Sequence, residues 1–483
     1  MWFVLRTGTK PSRAIYPCQQ VAKANAGVWL AAYISPMVVA PLTAKKAPKK
    51  INKIQVILLA LVVVAVGAGA VGYFVVLPNW GTTPESMNTV RFNLKPHVAI
   101  SSPVSNIFAV NGTAGPDGGF AMLIDLMGAN GLPFYRSDTV GKNKGPTGLI
   151  AKDDVVIIKV NSQWNERGGT NTDLVKKIIE AIGKHPDGWV GEVVVADNGQ
   201  GSGGGSEAKS TFDYKLNNAE NRNQSINMVV DSFPASIKAS TYLWDRITET
   251  RVQEYSVGDA RDGYVVNSTV DPHTGLCVSY PKFKTAYGTY ISFKLGVWDQ
   301  AKGAYDTSKL KVLNVPVLKT HMVYGVTASV KHYMGIPSET LTSALGASTH
   351  TAIGKGGIGE LMAETRFPTL NILDCIWVNA YPTNAAATGT MGPITSYKAA
   401  TRVNVIAAST DPVALDSWAA KNILMMKAPA GLDLRTMDPD VDLNINISFG
   451  HYLRLSMAEI NREGHTTTMD VARISVHVSE LGK

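Results

Sequence analysis

Residues 155–161 read VVIIKVN, residues 170–185 read TNTDLVKKIIEAIGKH, and residues 193–198 read VVVADN. The first is a short run of β-branched residues, the mark of a strand buried on both faces. The second sets Leu174, Ile178, Ile179 and Ile182 on one face of a helix, with Thr or Asn at its start as N-cap. The third is another short apolar strand. Strand, helix and strand in this order imply a parallel, right-handed crossover. Similar strands are expected at Lys311–Val315, Leu370–Val378 and Val403–Ala408, and helices at Met322–Met334 and Pro412–Met425. Residues 235–300 are richer in Tyr, Thr, Val and Phe and predict an antiparallel insertion. The expected fold is α/β, a mostly parallel sheet flanked by helices, with a β-rich insertion, preceded by one transmembrane helix. The α/β domain covers 150–430. Residues 78–150, rich in Gly, Pro, Asn and Ser, read as a linker and irregular segment, and 431–483 as a C-terminal segment.

The chain has 483 residues, 46 Lys plus Arg, 38 Asp plus Glu and a formal charge of +8. Residues 1–53 hold nine basic residues and no acidic one, which leaves 37 basic against 38 acidic for the rest. The main body is therefore not basic, and a nucleic-acid partner is not expected. From Ile54 to Leu77 no residue is charged. As a helix this stretch would be about 36 Å long, enough to cross a bilayer. Lys45, Lys46, Lys49, Lys50 and Lys53 precede it, which predicts a cytoplasmic leader over 1–53, a single-pass span over 54–77 and an extracytoplasmic main domain. Ala68-Gly69-Ala70 also fits a signal-peptide cleavage site, but apolar residues continue through Val76, which favours an uncleaved anchor. Met37, followed by lysines and the apolar run, would make a conventional start. Gly67, Ala68, Gly69 and Gly72 would permit close helix pairing within a membrane complex.

Lys159 and Asn161 follow the first strand, Asp197 and Asn198 the second, and Lys319 and His321 the third; Asp374 lies in the fourth and Asp411 follows the fifth. In an open parallel sheet the carboxyl ends of the strands share one edge, where ligands bind. Loops carry polar residues by default, so the same pattern also fits a solvated edge. A helix starting near Met322 would set His321 and His332 on one face about 16 Å apart, too far to share a metal. Lys319 and His321, just before that helix, would add to an anion site at its N-terminus.

"VVIIKVN", "VLNVPVLKTHMVYGVTASVKHYMG" (312–335) and "VIAASTDPVALDSWAA" (405–420) resemble the segments that define the family called domain of unknown function 362. The likeness spans about 150–425. The middle segment carries the specific part: Pro-x-x-Lys-x-His over 316–321, then Gly325-x-Thr327, then Lys331. The resemblance implies the fold and a site at the strand edge, and leaves the reaction open. Some members carry ferredoxin-like cysteine motifs, which imply electron transfer. This chain has three cysteines and no such spacing, so no iron–sulfur cluster is expected from it alone, and a redox role would need an added cofactor.

Gly199 to Gly204 matches GxGxxG, but the chain continues with Ser206-Glu207-Ala208-Lys209-Ser210 rather than an amphipathic helix, so the stretch reads as a flexible loop or lid. Asp411-Pro412 reads first as a helix start. Asp197, His321 and Asp411 are also the strand-edge groups suited to a divalent metal, with His451 and His465 as further candidates. Cys277 and Cys375 would be free to pair in an oxidising location, although Cys375 sits in an apolar run and reads as a small buried hydrophobe. No HExxH, GxSxG or P-loop occurs. The expectation is an enzyme or binding protein for a small anionic ligand. Lys159, Lys319 and Lys331 supply charge, Asn161, Asp197 and Thr327 bind, and His321 with Lys319 is catalytic. The rival is a non-enzymatic tethered subunit or scaffold of a membrane complex.

Overall fold

Ten strands form the main sheet of the computed structural model, which describes residues 92–102, 105–199, 211–213, 217–321, 324–381, 397, 399–444 and 448–482. The expected leader and span over 1–77 and the glycine-rich loop over 200–210 lie outside the described residues. Among the described residues no helix is long and apolar enough to cross a membrane.

The strands are β1 Ser105–Asn111, then β2 Tyr135–Arg136, β3 Lys144–Gly145 and β4 Ile150–Ala151 in a small three-stranded sheet. They continue with β5 Val155–Lys159, β6 Glu192–Asp197 and β7 Ala239–Leu243. An antiparallel insertion follows, comprising β8 Gly263–Val266, β9 Ser279–Lys284, β10 Tyr290–Ser292, β11 Gly296–Asp299 and β12 Ala304–Asp306. The last are β13 Leu310–Asn314, β14 Val317–His321, β15 Gly325–Thr327, β16 Leu370–Asn379, β17 Thr401–Ser409 and β18 Ile474–Glu480. The main sheet runs β18-β1-β17-β16-β13-β5-β6-β7, with β14 and β15 attached beside β16.

Every residue of β5 and β6 is buried, because helices and the insertion cover both faces. Val156, Ile158, Val193 and Val195 join one core cluster, and Val155, Ile157, Val194 and Ala196 the other. That is the two-residue alternation of a pleated strand between two apolar layers. The helix Thr172–Gly183 packs Leu174, Ile178, Ile179 and Ile182 into the first cluster, and Asn171 caps it by accepting from the N–H groups of Asp173 and Leu174. β5 and β6 pair in parallel as expected, and the α/β class with a mostly parallel sheet holds.

Three features differ from expectation. First, the described part of 78–150 is no linker. β1 is a central strand between β17 and β18, and β18 comes from the expected separate C-terminal segment. Segments on both sides of the middle region therefore complete its sheet, a long-range pairing that short local patterns do not announce.

Second, β17 runs antiparallel to both its neighbours, so its carboxyl end lies at the opposite edge from those of β5, β6 and β13. Third, among the described residues the expected helix over Met322–Met334 is largely replaced: β14 pairs antiparallel with β15, and only a short α-helical turn over Ser329–His332 follows, running into a 3-10 turn over Tyr333–Gly335. Val317, Val326 and Thr327 are β-branched and suit a pleated strand. Gly325 takes φ +76° where a Cβ would overlap the Thr436 carbonyl, which favours glycine at this turn.

Candidate functional site

Past Asn314 the chain leaves β5. The Val315 N–H still donates to the Lys159 carbonyl at 2.8 Å, but β14, besides its hairpin with β15, pairs with the far half of β16, Val317 opposite Asp374 and Lys319 opposite Asn379. β14 thus extends beyond the carboxyl end of β5, and Lys319 reaches back over it. The Lys319 ammonium donates to the Gly168 carbonyl at 2.5 Å, in the loop that follows β5, and lies 5.8 Å from the centre of the Trp164 ring.

Beneath it lies an ion pair. The last residue of β5, Lys159, puts Nζ 2.7 Å from Asp197 Oδ1 at the end of β6, with both side chains no more than 3% exposed. The other oxygen, Oδ2, accepts from the Ser162 N–H at 2.7 Å and its hydroxyl at 2.9 Å. Gly335 passes directly over the pair, where a Cβ would overlap both Nζ and Oδ1.

Lys331 completes the group. It is 7% exposed, lies 5.4 Å from the Tyr324 ring centre and forms no ion pair among the described residues. Burial, then the charge of Lys331, opposed by Asp197 and joined by Lys159, brings the Lys319 ammonium down to about 7. Burial, then the charge of Lys159, brings Lys331 down to about 7 as well. Lys159 is lowered by burial against the pull of Asp197 and Asp245. Three interior ammonium groups therefore share essentially one adjacent carboxylate, an arrangement that an incoming anion would relieve.

The other expected residues take different places. Thr327 is buried on β15 directly opposite Lys319. The Asn161 N–H donates to the Thr170 hydroxyl at 2.8 Å, and its side-chain oxygen is buried with no hydrogen bond. His321 ends β14 and accepts from the Tyr324 N–H through Nδ1 at 3.3 Å; burial, then Lys331, Lys319 and His350, hold it well below the usual imidazole range.

Asp411 stands apart. The reversed direction of β17 carries it to the other sheet edge, where Oδ1 accepts from the Val413 and Ala414 N–H groups and Oδ2 from Ser105 and the Thr468 N–H. It is a helix cap, and the expected metal set of Asp197, His321 and Asp411 does not assemble. His451 pairs with Asp442 at 2.9 Å and His465 stacks on Phe367. Among the described residues no three His, Cys, Asp or Glu side chains converge as metal ligands. Cys277 and Cys375 are both buried and unpaired with each other.

Two groups at this edge escaped the sequence reading. Arg167, on the loop after β5, stacks its guanidinium 3.7 Å from the Trp377 ring and 4.8 Å from that of Tyr397. His332, expected three turns from His321, is instead buried among the three lysines. The residues match a family model described as Domain of unknown function (DUF362) over 310–421, which supports the family resemblance across β13 to the helix after β17. Comparison with curated proteins and with solved structures finds no match.

Proposed function

We propose that this protein binds a small anionic ligand at the carboxyl edge of its sheet and acts on it as an enzyme, held at the outer face of a membrane by the apolar segment over 54–77. The observation that carries the reading is the excess of buried positive charge: Lys159, Lys319 and Lys331 against Asp197. Burying an ammonium without a counter-ion is costly, and proteins seldom keep one without use. Lys331 and Lys319 supply the free charge, Lys159 is held in place by Asp197, and Asn161 and Thr327 offer hydrogen bonds. The lysines point inward, which favours a ligand site over a docking surface for a partner subunit.

Calorimetric titration of the full chain in detergent with inorganic phosphate, sulfate and small dicarboxylates tests this. At least one should bind, and Lys331→Gln should weaken it tenfold or more. No heat with any of them, or binding indifferent to Lys331, would refute the site.

A further inference from the structure

One buried group at this edge has its protonation set by a chain of hydrogen bonds. The Asn371 side-chain N–H donates to the Ser409 carbonyl at 3.2 Å, so its Oδ1 is turned toward Asn314 and accepts from it at 2.9 Å. Asn314 Nδ2 also donates to the Ser329 carbonyl at 3.0 Å, so its own Oδ1 faces His332 Nδ1, 2.7 Å away. Two backbone carbonyls thus orient both amides, and a carbonyl oxygen can only accept. His332 Nδ1 must therefore carry a proton, and in the neutral ring Nε2 bears the lone pair. His332 is 3% exposed, and Nε2 is buried with no hydrogen bond.

The charged groups acting on this ring are Lys159 from the end of β5, Lys319 from β14 and Lys331 from the same helical turn; the Val160 carbonyl favours a second proton. Burial and the three ammonium groups keep the ring neutral, while the Asn314 and Val160 oxygens would welcome the imidazolium. An anion among the lysines removes the main opposition.

We propose that His332, rather than His321, is the acid–base group of this site, and that its Nε2 takes up a proton when a phosphate-like dianion occupies the lysine cluster. The inference rests on the anion-site reading above. The proton comes from solvent or from an acidic hydroxyl of the bound oxyanion and lands on the Nε2 lone pair; no other bond changes. A ligand so bound has, beside its negative charge, a donor that can return the proton to a leaving oxygen or a basic atom.

The test is long-range proton–nitrogen correlation spectroscopy on the full chain labelled in its histidines, at pH 7, with and without saturating inorganic phosphate. The His332 signal is identified by its loss in His332→Gln. Without phosphate the proton should sit on Nδ1 alone, and with phosphate both nitrogens should carry one. In Asn314→Asp the titration midpoint of the ring without phosphate should rise by about one pH unit or more, which also identifies the signal if His332→Gln does not fold. A bare Nδ1 in the free protein, a ring that stays neutral with phosphate shown by calorimetry to be bound, or an unchanged midpoint in Asn314→Asp would each overturn the assignment while leaving the anion site intact. Absence of phosphate binding would overturn the uptake and the dianion together; binding of another tested anion in its place would still leave the broader anion-site reading standing.

Discussion

The Lys159 ammonium stands 2.7 Å from the Asp197 carboxylate, both side chains almost wholly removed from solvent, and the bare backbone of Gly335 closes over them. Removing one member of such a pair strands the other. Lys159→Met should cost about 3–5 kcal/mol in unfolding free energy, whereas Lys159→Met combined with Asp197→Leu should recover a large part of it. Urea denaturation of the single and double variants measures this, and equal losses would argue against a tight pair.

Gly335→Ala should displace the pair, since its Cβ would meet Nζ and Oδ1 together. A loss of roughly 1–3 kcal/mol is expected from the overlap, together with weaker anion binding in calorimetry. Wild-type affinity in a folded Gly335→Ala protein would mean that the ion pair does not shape the site.

Lys331→Gln should behave oppositely to Lys159→Met. Its ammonium forms no ion pair among the described residues, so losing the charge relieves desolvation. Melting temperature should hold or rise while anion affinity falls. A sharp drop in melting temperature would show that Lys331 supports the fold.

Lys319 and Lys331 each fall from an ordinary value of 10.5 to about 7 on folding. Between about pH 7 and 10.5 the unfolded chain therefore binds more protons than the folded one, and unfolding free energy rises with pH through this window. The contribution is on the order of 1 kcal/mol per pH unit for each lysine. Anion affinity should fall over the same rise, as the ammonium charge is lost. Denaturation at pH 7, 8 and 9 should show a steeper slope in wild type than in the Lys319→Met, Lys331→Met double variant; equal slopes would show that these lysines are not depressed.

Asp411 serves the opposite sheet edge, so Asp411→Ala should cost about 2 kcal/mol through the lost cap and the stranded Ser105 hydroxyl, with anion binding unchanged. Loss of binding in a folded Asp411→Ala protein would contradict the strand directions described above.

Much of the scaffold was legible in the residues. The run from Val155 to Ile158, the spacing of Leu174, Ile178, Ile179 and Ile182, and the run from Val193 to Val195 are local patterns, and each matches its element. The segment 322–334 misled because its small residues fit a helix as well as a hairpin; pairing with β14, itself held by β16, selected the strand at Gly325–Thr327. His332 was invisible as a site residue for the same cause, since its place depends on where that hairpin ends.

The sequence alone determined that a parallel unit around β5 and β6 would deliver Lys159 and Asp197 to one edge, because side-chain periodicity and strand-end position are local properties of the chain. The sequence also set Lys319 and Lys331 with them, but only the tertiary structure decided how they reach that edge and that Asp411 does not. The direction of β17 and the extension of β14 past β5 follow from pairing between strands far apart in the chain. Such pairings are set by long-range packing and hydrogen bonding, which no short window of residues contains.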